Sequence, residues 1–534
     1  MGHVFIVHGD LRKLCCDAWL LPCDIGAMPH RHWLEWPPGI AATLPPTVLP
    51  AAWHPEGLRS VKLAGWPSAY PQPWLTNVGA DRVRSLDWFI HGAVQFIDQA
   101  VKDPMLRGPY SEKRARPLLA LPVVGTGFGG AGALAGDVVR LLIPAITERA
   151  RRHQVDVVLV AFDEPAFAAA QAYRRSTQGS WPELSPALCG HADRLAKRAG
   201  RGDLVLFLGA GVSTGARLPQ WGELMAQLAG ELGLRADELL ALRRLDYMDQ
   251  AHILEQRCGD ESALRQRVAG AFHRHHHTLG HGLLASLPIT EIVTTNYDQL
   301  FELAYTSTGK KSLAVLPHAP QPGATGWLLK MHGSIDQPSD IVLTRRDYLR
   351  YDEQRAALAG IVQAQLITKQ MIFVGFSMND TNFLRIADAV RRALRKSQPG
   401  AATGAAAGQA FGVALALFRN PLLEQLWRNE LDWVALTDTE EESPQLFRDA
   451  ARRLDIFLDY LLAQASGTTA HLLDHRFDGV LSDPERTLRG ALEDFLAAVP
   501  PQALSTPAWA QVDALIRQLG GIPIPTAYWR HKNR

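Results

Sequence analysis

The run "LVLFLGAGVSTGARLPQW", Leu204 to Trp221, constrains the fold more than any other stretch of the chain. An apolar segment of strand type ends in Gly-Ala-Gly. Beyond it Trp221, Leu224, Met225, Leu228 and Leu232 keep helical spacing, with Pro219 near the first turn and Gly233 after the last. Strand-like runs recur at "TEIVTTN", "WLLKMHG" and "MIFVGFS", separated by helical patterns as far as Gln464. That alternation predicts α/β structure, a Rossmann-like parallel sheet with flanking helices. Glycines at such a turn let backbone N–H groups approach an anion at a helix start, and tight turning without a ligand accounts for the same residues. Thr214 stands where GxGxxG has its third glycine, so the common dehydrogenase fingerprint is not met.

Ligands of open parallel sheets sit beyond the carboxyl ends of the strands. The chain places polar residues there four times, as Gly209-Ala210-Gly211-Val212-Ser213, Thr295-Asn296-Tyr297-Asp298, His332-Gly333 and Gly375-Phe376-Ser377. In this order the motifs "FLGAGVS", "TTNYD", "KMHGSID" and "FVGFSMND" resemble the sirtuin-like NAD-consuming fold, over residues 200–464. They are closer to its bacterial branch of NAD-hydrolysing anti-phage defence proteins than to the protein deacylases. The resemblance implies NAD as substrate, with Gly209, Ala210, Gly211 and Ser213 on its pyrophosphate. It further implies Thr295 and Asp298 beside a catalytic Asn296, a catalytic His332, and Gly375 and Ser377 near the adenosine.

The residue chemistry leads to the same pair. Breaking the nicotinamide–ribose bond passes through an oxocarbenium-like state and releases a neutral pyridine, so no strong acid is required. An amide such as Asn296 orients ribose hydroxyls or a water, and an imidazole such as His332 takes up a proton near neutrality. Asp298 can hold the carboxamide or ribose, or cap the helix of "QLFELAY"; capping is equally open to Ser377 and Asp380 before "NFLRIADAVRRAL". Deacylases carry a four-cysteine zinc module after the His-Gly strand, whereas this chain has no cysteine after Cys258. No metal is expected, and water becomes the expected acceptor of the ribosyl group. Where deacylases follow the glycine loop with Asp, Phe and Arg, this chain has "ARLPQW", and whether Arg217 substitutes is left open. The run "HRHHHT" (His273, His275, His276, His277) reads as a solvated face rather than a metal site, because consecutive helical residues point in different directions.

Residues 1–185 open with "HVFIV", pass through a stretch holding Trp19, Trp33, Trp36, Trp53, Trp66, Trp74 and Trp88 among prolines, and return to "PLLALPVVG" and "VDVVLVAFD". The aromatics read as the core of an ordered insertion or as a partner interface, since base stacking needs neighbouring Lys and Arg that are few here. "HVFIVHGDLRKLCCDAWLLPCD" and the later "LLALPVVGTGFGGAGALAGDVVRLLIPAI" resemble a macro domain, a binder of ADP-ribose and related nucleotides. That implies Asp10 on adenine and Gly125, Thr126, Gly127 and Gly129 on a diphosphate. Cys23-Asp24 stands where ADP-ribose hydrolases carry asparagines, so binding or assembly is expected of this module rather than catalysis. The expected domains are thus 1–185 (macro-like), 190–464 (sirtuin-like) and 465–534 (a helical module with Leu488, Leu492 and Phe495 on one stripe).

Lys plus Arg (55) and Asp plus Glu (54) nearly cancel, which removes any global pull towards nucleic acid or membrane. Five scattered cysteines favour a reducing compartment, by default the cytoplasm. The first residues lack an export signal, and runs such as "FGVALALF" are too short to span a bilayer. The leading expectation is a gated NAD glycohydrolase yielding nicotinamide and ADP-ribose in abortive infection. The macro-like module would sense an ADP-ribose-type ligand or organise a homo-oligomer. The alternatives are an ADP-ribosyltransferase acting on protein or nucleic acid, and a non-catalytic nucleotide sensor regulating a partner ATPase or nuclease.

Overall fold

Strand-forming runs closed by glycine, proline or acidic residues build two sheets, the first mostly parallel and made of six strands. These are β1 (Val4–His8), β2 (Ala18–Cys23), β3 (Ser60–Lys62), β4 (Gln72–Asn77), β5 (Leu118–Pro122) and β6 (Asp156–Ala161), in the order β1-β6-β5-β2-β4-β3. Only the β3–β4 pair is antiparallel. The strands Val4–His8 and Asp156–Ala161 are apolar on both faces, as a sheet covered on both sides requires. The covering helices include α1 (Leu86–Ala100), α2 (Ala135–His153) and α3 (Glu164–Thr177). The computed structural model describes residues 1–46, 48–79, 85–106, 111–127, 129–309, 311–397, 411–428, 430–440 and 443–521. The low-complexity tract after Ser397 and the basic run "YWRHKNR" lie outside them.

After α4 (Pro186–Ala199) the second sheet begins with β7 (Leu204–Leu208), followed by α5 (Trp221–Glu231) on the predicted span. Helices α6 (Ala236–Leu242), α7 (Tyr247–Cys258), α8 (Glu261–Phe272) and α9 (Leu279–Ser286) lead to β8 (Glu291–Thr294), α10 (Leu300–Tyr305), β9 (Leu313–Leu316) and β10 (Gly326–Lys330). Then come α11 (Arg345–Leu349), α12 (Tyr351–Thr368), β11 (Gln370–Val374), α13 (Thr381–Ser397), β12 (Gly412–Ala416), α14 (Pro421–Leu426), β13 (Leu431–Ala435) and α15 (Pro444–Ala465). All pairs are parallel, in the order β13-β12-β11-β7-β8-β10-β9. The chain leaves β7 towards β8 on one side and returns to β11 on the other. The crevice between β7 and β11 is therefore the switch point where α/β sheets take their ligands. No described helix is long and apolar enough to cross a membrane.

Apolar packing runs unbroken from the first sheet through α9 and α15 to the second. Polar groups fix the junction. Asp459 of α15, wholly buried, accepts both guanidinium arms of Arg174 (2.8 and 2.9 Å) and lies 2.8 Å from Nε2 of His3. Burial alone would raise this carboxyl, yet Arg174 and His3 hold it below the usual range. Arg174→Met should destabilise the chain by about 3 kcal/mol in urea unfolding, because it strands a buried carboxylate. Adding Asp459→Leu should recover most of that loss; a double variant as weak as the single one would refute the pairing.

The tryptophans serve the core: Trp19, Trp66, Trp74 and Trp88 are buried, and Trp36 donates from Nε1 to the His275 carbonyl (2.9 Å). The histidine run departs from the solvated helical face that its spacing suggests. It lies beyond α8, where His277 exchanges backbone hydrogen bonds with Lys13 and Cys15 (both 2.8 Å), and His276 and His277 are buried between the two sheets. The carboxyl-terminal helices α16 (Asp483–Ala498) and α17 (Pro507–Gln518) follow a turn, His475–Val480, whose Phe477 packs its backbone on Gly136 of α2.

Candidate active site

The glycine turn and the β11 loop meet by backbone contact. Gly211 N donates to the Gly375 carbonyl (2.9 Å) and Gly209 N to that of Val374 (3.0 Å). A Cβ on Gly209 would lie 2.4 Å from the Gly375 oxygen, and one on Gly211 2.7 Å from the Gly375 Cα. These glycines are thus demanded by loop packing, whatever they also do for an anion. Ala210 and Ser377 are exposed, while Ser213 is buried under the loop. Gly211, Gly375 and Ser377 line a cavity of about 870 Å³ bounded by the β12 loop, α9 and α15.

Asn296 and Asp298 arrive from the end of β8. The Asn296 side chain donates to the Gly209 carbonyl (3.0 Å) and approaches Ser213 Oγ (3.4 Å), and its backbone N–H donates to Thr294 Oγ1 (3.0 Å). Thr295 is half-buried beside it. Ser213 Oγ donates to Asp298 Oδ2 (2.9 Å), while Asp298 Oδ1 accepts from Leu300 N (3.0 Å). Asp298 therefore caps α10 and braces the glycine turn at once. Beneath Ser213 lies His281, whose other nitrogen is 2.7 Å from Thr278 Oγ1. No motif marks His281, so sequence reading passes over it.

His332 follows β10 and is buried, with the edges of Tyr348 and Tyr351 about its ring. Its Nε2 stands 3.5 Å from Asp380 Oδ2 and 3.3 Å from Asn382 Nδ2. Asp380 also caps α13 through Oδ1, which accepts from Phe383 N (2.9 Å). Burial would raise the Asp380 carboxyl, but His332 and the amides of Phe383 and Asn382 hold it low. The carboxylate thus stays ionised, suited to steady an imidazolium. Gly333, with φ of +86°, gives the chain its turn after the histidine, and there a Cβ would meet the Asp340 oxygen at 2.3 Å.

Lys330 ties the Asn296 loop to the histidine strand. Fully buried, its ammonium donates to the carbonyls of Tyr297 (3.2 Å) and Asp298 (2.6 Å) and to Glu302 (2.8 Å). Burial pushes the Glu302 carboxyl up, and Lys330 opposes that. Lys330→Met should cost about 3 kcal/mol by leaving Glu302 unpaired. Lys330→Met/Glu302→Leu should regain most of that stability in urea unfolding; a double variant no more stable than Lys330→Met would refute the pairing.

Asp10, Gly125, Thr126, Gly127 and Gly129 line one further cavity, of about 550 Å³, at the carboxyl ends of β1 and β5. Cys23, Asp24 and, from the carboxyl-terminal turn, Arg476 join them there. Asp10 is buried, its carboxylate accepting from Arg12 N (3.1 Å), Nε (2.9 Å) and Nη2 (2.7 Å). Among the described residues no group of three or more His, Cys, Asp or Glu could hold a metal ion.

Residues 290–426 match the family described as SIR2-like domain. The chain is 33% identical to an NAD(+) hydrolase ThsA of Enterococcus faecium over 211 residues, 38% of this chain and 43% of that protein. It is 31% identical to the NAD(+) hydrolase ThsA of Acinetobacter baumannii over 216 residues, 39% and 43% of the two chains. A defense-associated sirtuin 2 of Bacillus subtilis matches at 26% over 208 residues, 37% of this chain and 20% of the other. The matches span less than half the length of these curated relatives. Asn296, His332, Gly375 and Ser377 all lie within the residues that match the SIR2-like domain.

Proposed function

We propose that the chain hydrolyses NAD to nicotinamide and ADP-ribose. The reading rests on the β7–β11 switch point, where the glycine turn carries Asn296 on one flank, and on the end of β10 beyond β8, where His332 faces Asp380. It is supported by relatives named as NAD(+) hydrolases. The C1′–N bond breaks with its electron pair leaving on nicotinamide, which departs neutral. Water adds to C1′ and passes its proton to His332, with Asp380 steadying the imidazolium; Asn296 orients the ribose or the water. Gly211, Gly375 and Ser377 would receive the ADP half. Ser213 and Asp298 act beneath the loop, holding Asn296.

The same proposal makes the first sheet a macro-like module that takes an ADP-ribose-type ligand at Asp10 and the Gly125–Gly129 loop, and makes the protein a gated defence effector in the cytoplasm. What supports gating is the course of β5. Its entry follows Lys113 and Arg114 on the cavity of Gly211, Gly375 and Ser377, and its exit feeds the loop on the other cavity. Assembly with further copies is supported by Leu488, Phe495 and Leu515, about half exposed on α16 and α17. The test is NAD incubated with the full chain, with and without ADP-ribose, and the products resolved by chromatography. Nicotinamide and free ADP-ribose are expected. Nicotinamide release absent in both conditions overturns the reading, and label left on macromolecules replaces water as acceptor.

A further inference from the structure

The cavity lined by Gly211, Gly375 and Ser377 is closed on one side by the polypeptide of the first sheet, through Lys113 and Arg114. A dinucleotide carries two negative charges in its diphosphate, and a site that holds it needs cations or free amides facing it. Among the described residues three basic ones line this cavity. Arg114 is committed elsewhere: Nη2 donates to the Cys15 carbonyl (2.6 Å), and Nη1 lies 3.5 Å from Asp17. Arg419 leans towards Glu424, 3.8 Å away. Lys113 is exposed and makes no ion pair among the described residues.

Two further features of the wall favour an anion. Leu279 and Gly280 open α9, so their amides fall outside the helical hydrogen-bond ladder, and both line the cavity. Among the described residues the acidic groups there are Glu440 and Asp455, and burial pushes the Asp455 carboxyl up to about 7, which weakens its charge near neutrality.

We propose that Lys113 is a substrate-binding residue contributed by the amino-terminal part of the chain, its ammonium meeting the diphosphate of a dinucleotide laid over Gly211 and Gly375. The inference rests on the NAD reading above and deepens it, because the nucleotide cavity is then complete only when the two sheets are docked. A lysine serves here as a mobile point charge, so arginine should replace it and a carboxylate should not.

The test measures nicotinamide release by the full chain against NAD concentration, for the parent, Lys113→Ala, Lys113→Glu and Lys113→Arg. Lys113→Ala should raise KM about 10-fold, as loss of one charge-assisted contact does, with kcat kept. Lys113→Glu should raise it further, and Lys113→Arg should stay near the parent. A turning-over parent whose KM is unchanged in Lys113→Glu overturns the role of Lys113 alone. Loss of kcat in Lys113→Ala at unchanged KM overturns it too, by placing the residue outside binding. A parent that releases no nicotinamide overturns the NAD reading itself, and this inference with it.

Discussion

His332→Ala should slow nicotinamide release by about 100- to 10,000-fold, the span expected for loss of a positioned acid–base group. NAD affinity should change little, since Gly211, Gly375 and Ser377, proposed to receive the ADP half, line a cavity that does not include the imidazole. Rates from single-turnover mixing, set beside equilibrium binding of NAD, separate the two effects. Asn296→Ala should be comparably slow, because its amide is fixed to the Gly209 carbonyl at 3.0 Å and cannot be replaced by a neighbour without moving the turn. Asp380→Asn is the finer probe. It retains an oxygen to cap α13 at Phe383 but loses the charge beside His332, so the helix should persist while the rate falls about 10-fold. A His332→Ala variant cleaving at the parent rate removes the imidazole from the chemistry, and the dyad with it.

The sheet that carries these groups was legible because each strand ends in residues that cannot continue it. Gly209, Asn296, Gly333 and Gly375 punctuate apolar runs, and β7, β8, β10 and β11 lie where those runs predict. Other strands gave weaker signals. β4 contains Pro73 within a tryptophan-rich stretch, which reads as irregular chain, and β9 is a short edge strand of four residues. β12 is the run "FGVALALF", weighed in the sequence only for its length against a membrane. The partners of His332 were hidden for a different reason. Asp380 and Asn382 precede and open α13, where sequence shows only a helix start, and they reach the imidazole through the register of β10 beside β8, β7 and β11. Likewise His276 and His277 look like a polar face until the bridge between Leu14 and His277 turns the segment into a seam between the sheets.

That seam should make the fold acid-sensitive well above the carboxylate range. An imidazole in an unfolded chain titrates near pH 6.5. Burial pushes His276 down to about 3, His277 to about 4 and His281 to about 3. Between those values and 6.5 the unfolded chain binds more protons than the folded one, so this stability is fully present above pH 6.5 and is lost as the pH falls towards 4. At about pH 5 the gap amounts to roughly 2 kcal/mol for each histidine, at about 1.4 kcal/mol per pH unit. Asp455 works in the opposite sense. Its folded carboxyl, raised to about 7, takes up a proton that the unfolded chain does not, and this offsets part of the loss. The three strongest depressions set against Asp455 leave a net fall on the order of 4 kcal/mol between about pH 7 and pH 5, to which the lowered His32, His191, His275 and His471 add and which the raised Glu302 opposes, readable as a drop in the urea midpoint. Ordinary carboxylates titrate mostly below this window, which isolates the histidines. His276→Leu, which cannot titrate and keeps its contact with Tyr70 apolar, should flatten the slope by about a third of the histidine share. Equal midpoints at the two pH values would mean that water reaches these rings and that the two sheets are not sealed along the histidine seam. Unfolding along this seam would free His281 from beneath Ser213, so NAD cleavage should be lost where the fold is lost as the pH falls.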